Sequence, residues 1–139
     1  MSRFPTLDRP EDPDVKSLYQ RILPAGWQGT TEGVPMNAFT AFGERTDILE
    51  SVWTLTEGIV MAGGVPPTVK QMISMTIAMQ SNCRYCAVAH THALEMMGVP
   101  TEVIQSCASD PEMAEIPPVQ RAIVQFALKV ARDSLSVTE

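Results

Sequence analysis

The stretch "SNCRYCAVAHTHAL", residues 81–94, holds two of the chain's three cysteines and both of its histidines. Read as a helix at about 100° per residue, Cys83, Cys86 and His90 fall within an arc of about 60°. His92 falls on the opposite side, and Tyr85 sits near it. The two histidines are therefore not equivalent. Cys86 and His90 are four residues apart, so their side chains can meet on one face. An imidazole beside a thiol can take its proton and hold the thiolate. Cys83, one turn away, is close enough to attack an oxidised sulfur. With Cys86 as attacking thiolate and Cys83 as resolving thiol, the two-step cycle closes. A second argument points the other way. If Asn82 or Ser81 caps the helix, Cys83 lies in its first turn, where free N–H groups lower a thiol pKa. The sequence does not rank the two thiols; direct contact with His90 favours Cys86.

Three other readings compete. A zinc site would take Cys83, Cys86 and His90, with Cys107 as fourth ligand. Structural zinc pairs usually sit on a tight knuckle, whereas this stretch reads as uninterrupted helix. Haem attachment needs a histidine directly after the second cysteine, and Ala87 stands there. The last reading is simple burial in a helical core. Cys107 has no motif around it and reads as a plain thiol. His92 and Glu95 read as surface residues. Tyr85 is a candidate to orient a substrate beside the thiols.

Such a stretch must be positioned by its neighbours. The chain has 139 residues, which fits one domain with a hydrophobic core of its own. Residues 1–35 carry five prolines and three glycines and read as an arm with one short helix. In "DPDVKSLYQRIL", Asp12 can cap, Pro13 suits the first turn, and Val15, Leu18, Tyr19 and Ile22 form a stripe. Trp27 is expected to anchor the irregular segment after it. Residues 36–139 read as the main domain. There Ile48, Val52, Leu55, Ile59 and Val60 recur at helical spacing up to Gly63-Gly64. "MISMTIAM" is rich enough in β-branched residues to suggest a strand, but no partner strand lies nearby, so helix is expected. The cysteine helix should end at Gly98. A last helix should place Val119, Ile123, Phe126, Ala127 and Val130 on one face. The expectation is an all-α bundle of about six helices.

Composition excludes several functions. The net charge is −6, with ten basic residues and no Lys/Arg cluster, so a nucleic-acid or anionic-membrane partner is not expected. No secretory leader or membrane-length apolar run is apparent. A reducing, cytoplasmic setting is the default. There a CxxC is more often reactive or metal-bound than a permanent staple.

The motif "CRYCAVAH", after an apolar helix and followed by "THALEMMGVPTEVI", resembles the alkylhydroperoxidase D-like and carboxymuconolactone decarboxylase superfamily. The resemblance runs from about Met36 to Leu135. It implies an all-helical protomer that forms dimers, trimers or hexamers; the long arm and nine methionines fit a partner interface. It also implies a peroxidase in which Cys86 attacks a hydroperoxide, Cys83 resolves it, and His90 relays the proton. No organic cofactor or metal is required. The partners would be an organic hydroperoxide or hydrogen peroxide and a thiol reductant or redox protein. The motif differs from the family's in two places. Tyr85 stands where a further histidine lies, and Gln71 stands where the relay has a glutamate, twelve residues before the first cysteine. Glu57 or Glu50 are the acids a related arrangement would use instead. Without a titratable relay, the chain could be a slow peroxidase or a thiol–disulfide exchanger. The decarboxylase branch usually lacks the cysteine pair.

Overall fold

The computed structural model describes residues 5–137. The chain divides into two compact units, residues 1–63 and 64–139. The first includes the expected arm together with the first helices of the expected main domain. The fold is all-α: among the described residues there are seven α-helices, and the one β-type pairing is an isolated antiparallel bridge between Gln28 and Pro35.

The first unit holds α1 (Pro13–Ile22), the short α2 (Asn37–Thr40) and α3 (Thr46–Thr56). The start of α1 follows its sequence signals. The Asp12 carboxylate accepts the Asp14 N–H at 2.8 Å, Pro13 takes a position whose N–H is not needed, and Val15, Leu18, Tyr19 and Ile22 are buried. These side chains pack with Phe39, Leu49 and Trp53 into one cluster. Trp27 lies edge-on to Phe39, and Phe39 edge-on to Trp53, with centroids 5.6 and 5.9 Å apart. Gly29 is required at the bridge, because a Cβ there would lie 2.8 Å from the Pro35 carbonyl oxygen.

Helix α3 departs from its expected phase. Leu49 and Trp53 are buried, whereas Leu55 and Ile59 are each 62% exposed. There are two physical reasons. The apolar residues of α3 cover more of its surface than one packed face can use, and the Trp53 ring removes the most area from water when it faces α1. The helix then widens into a π-turn over Glu57–Met61, which breaks the 3.6-residue period that linked Ile59 to Leu55.

The second unit holds α4 (Pro67–Gln80), α5 (Arg84–Met96), α6 (Thr101–Ser109) and α7 (Pro118–Arg132). The "MISMTIAM" segment lies inside α4 and is helical. Val69, Met72 and Met75 of α4 are buried against Leu94, Ile104, Cys107, Val124 and Leu128 of the other three helices. Helix α4 is thus the element on which the others pack. Leu94, fully buried one turn beyond His90, ties α5 to this core. Leu94→Ala should lower stability by about 2–5 kcal/mol, read as a drop in the denaturant midpoint with an unchanged slope. A loss under 1 kcal/mol would mean that the α5 seat repacks freely.

Helix α7 also buries a different strip from the expected one. Val124 and Leu128 face the core; Val119, Phe126 and Val130 are exposed. Its apolar residues span two adjacent strips, and only one can meet α4. Periodicity identifies both strips without choosing between them.

Candidate functional site

The turn between α4 and α5 builds the thiol pair. Asn82 has φ 56°, in the left-handed region that asparagine tolerates better than most residues. The Asn82 N–H donates to the Met79 carbonyl at 3.2 Å, and the Cys83 N–H donates to the Ala78 carbonyl at 2.9 Å. This pair of bonds is the Schellman closure of α4. Asn82 therefore ends the preceding helix and does not cap the next. The N-cap of α5 is Cys83 itself, whose carbonyl accepts the Ala87 N–H at 2.9 Å. Cys86 is then the third residue of α5. At the other end, Gly98 closes α5 the same way, with φ 73° and the Val99 N–H on the Leu94 carbonyl at 3.1 Å.

Cys83 and Cys86 are joined as a disulfide with their Cα atoms 5.4 Å apart. Both are partly exposed. The arrangement is thiol-redox-capable: a two-electron exchange interconverts it with two thiols. Cys83 stands at the N-cap, although its side chain makes no cap hydrogen bond. Cys86 lies one turn before His90 on α5.

His90 is half-buried, and its Nδ1 lies 2.6 Å from Oε1 of Gln71. Gln71 is on α4 and is 3% exposed. The α4–α5 packing thus seats a buried amide directly on the motif imidazole. Burial pulls the His90 pKa below its ordinary value of 6.5.

Tyr85 is half exposed, at the turn between the two cysteines in sequence. His92 is exposed and sits 3.5 Å from Glu95, also exposed, on the surface of α5. Cys107 is fully buried in the core, and burial pushes its thiol pKa up, which makes it a poor nucleophile. Among the described residues, no three His, Cys, Asp or Glu side chains converge as a metal-binding group. Glu50 and Glu57 belong to the first unit, and Glu57 pairs there with Arg21 at 3.6 Å. A cleft of about 590 Å³ opens beside α6 and α7, lined by Asp110, Lys129, Arg132 and Asp133 among others. It contains none of the candidate residues. No described helix is long and apolar enough to cross a membrane.

Residues 46–129 match the model of the carboxymuconolactone decarboxylase family. Two solved structures are similar to this chain. One is the alkylhydroperoxidase AhpD core of an uncharacterized peroxidase-related protein from Ralstonia eutropha JMP134. It is 28% identical with a TM-score of 0.73, over 95% of this chain and 70% of that one. The other is an uncharacterized peroxidase-related protein from Silicibacter sp. TM1040. It is 17% identical with a TM-score of 0.74, over 100% of this chain and 74% of that one, and at this identity it establishes the fold alone. No curated protein matches the sequence.

Proposed function

From the premise that this chain belongs to the carboxymuconolactone decarboxylase family, we propose that it is a thiol-dependent peroxidase working through Cys83 and Cys86. The observation that carries the reading is the bonded cysteine pair with His90 one turn beyond Cys86, braced by a buried side chain. Reduced Cys86 passes its proton to His90, and the thiolate attacks the terminal oxygen of a hydroperoxide. The O–O bond breaks, the leaving oxygen takes a proton and departs as alcohol or water, and Cys86 becomes a sulfenic acid. The Cys83 thiol displaces hydroxide from that sulfur, forming the disulfide and releasing water. Two electrons from a thiol reductant or redox protein restore the pair. Tyr85, half exposed between the cysteines in sequence, is the residue assigned to flank the incoming peroxide.

Thiol–disulfide exchange is the second reading. It is favoured by Cys83 at the N-cap, where a thiolate is stabilised without any proton relay. One experiment separates the two. Anaerobically reduced protein receives one equivalent of cumene hydroperoxide or of hydrogen peroxide. The peroxidase reading expects two thiols and one peroxide to disappear together. Persistent peroxide alongside prompt oxidation of the pair by a disulfide reagent would remove it and leave exchange.

A further inference from the structure

The hydrogen bond between α4 and α5 sets the chemical form of the motif histidine. Oxygen Oε1 of a glutamine side chain carries lone pairs and no proton, so it can only accept. With Oε1 as the atom facing His90 Nδ1 at 2.6 Å, the contact is a hydrogen bond only when Nδ1 carries the proton. A neutral imidazole has one N–H and one lone pair, so the lone pair is then on Nε2. Gln71 is 3% exposed on α4, so its carboxamide is shielded from water.

We infer that Gln71 is a positioning residue that fixes His90 in its Nδ1–H form, leaves Nε2 as the one acceptor for a thiol proton, and ends the proton path at the imidazole. The inference rests on the proposed thiol chemistry of this site and specifies how its base works. A carboxylate at this position would balance an imidazolium and so favour a thiolate–imidazolium pair. An amide cannot. The reduced site then holds a neutral imidazole, with no carboxylate behind it to balance an imidazolium.

The charge around His90 agrees. Helix α4 carries Lys70; α6 carries Glu102 and the Cys107 thiol; α5 itself carries Arg84, Tyr85, His92, Glu95 and the two cysteines. Burial is the cause of the lowered His90 pKa, and none of these groups offsets it.

Two measurements on the full chain test this, and neither uses a peroxide. The first is long-range 15N–1H correlation of the imidazoles in reduced protein above pH 7, with His92→Gln used to assign His90. A protonated Nδ1 and a bare Nε2 are expected. A protonated Nε2, or fast exchange between the two forms, overturns the inference. The second is the pH profile of Cys86 alkylation by iodoacetamide in a Cys83→Ser background, with Gln71, Gln71→Glu and Gln71→Leu compared. Gln71→Glu should move the profile to lower pH by about one unit or more, which is about tenfold faster alkylation below the midpoint. Gln71→Leu should not. Superposable profiles for Gln71 and Gln71→Glu overturn it equally. If Gln71→Glu does not fold, the imidazole spectrum of the native sequence decides alone. Absence of peroxide turnover would count against the proposed function and leave both measurements standing.

Discussion

Cys86→Ser should slow single-turnover consumption of cumene hydroperoxide by on the order of 10³-fold or more, because a serine hydroxyl does not ionise where a thiol does. Cys83→Ser should behave differently. Its first turnover should survive at one thiol per peroxide, and Cys86 should then persist as a sulfenic acid that dimedone captures, since no neighbouring thiol remains to condense with it. The contrast matters because the site gives each sulfur a separate advantage. Cys86 has His90 one turn away on the same helix, and a general base next to the nucleophile contributes about 10²- to 10⁴-fold. Cys83 is the N-cap of α5, where first-turn N–H groups and the helix dipole favour a thiolate. A peroxide has to give up a proton-accepting oxygen during attack, so a thiol coupled to a base gains more than a thiol that is only acidic. That argument selects Cys86. The reverse pattern, with Cys83→Ser inactive and Cys86→Ser still consuming peroxide, would mean that the helix terminus outweighs the base and that the roles are exchanged.

How much of this was legible in sequence depended on whether the signal was local. The start of α1 was, because Asp12, Pro13 and the apolar stripe act within one or two turns. So was the end of α5, where Gly98 is required by a positive φ. The all-α class was legible for the same reason: every segment carried a helical period and none had a partner strand. Choices between two apolar strips on one helix were not. In α3 and α7 the packed strip was decided by neighbours that sequence does not locate, and Leu49, Trp53, Val124 and Leu128 won over Leu55, Ile59, Phe126 and Val130. The thiol turn was half legible. Helix geometry suggested one face for Cys83, Cys86 and His90; the structure joins the two cysteines and puts Cys83 at the N-cap of α5. Recognising Asn82 as the close of α4, which hands the cap of α5 to Cys83, needed the backbone conformation of one residue. The contact between His90 and Gln71 spans 19 positions and depends on the register of α4 against α5. The family resemblance marked position 71 as the place of a relay glutamate. It carried no information on the atom that the partner would present.

His90→Gln should show its largest effect at the acid end of the pH range. On the proposed mechanism the base is a neutral imidazole, and burial lowers the His90 pKa below 6.5. The fraction of His90 able to accept a proton therefore stays high until the pH falls below the ordinary histidine range. The single-turnover rate should be nearly flat from that point up to the thiol's own ionisation. In His90→Gln no base remains, and the rate must follow the thiolate population. It should rise about tenfold per pH unit until it levels near an ordinary thiol pKa of about 8.5. The ratio of native to variant rates should accordingly be about 10²- to 10⁴-fold near neutrality and shrink steadily toward pH 9. Stability should move with the same sign. Because the folded chain binds the His90 proton less readily than the unfolded chain, acidification through the window below 6.5 favours unfolding in the native protein. His90→Gln should be spared that component, so the two melting temperatures should converge as the pH falls. A rate ratio that does not change with pH would assign His90 a packing role beneath the thiols and remove it from the proton path.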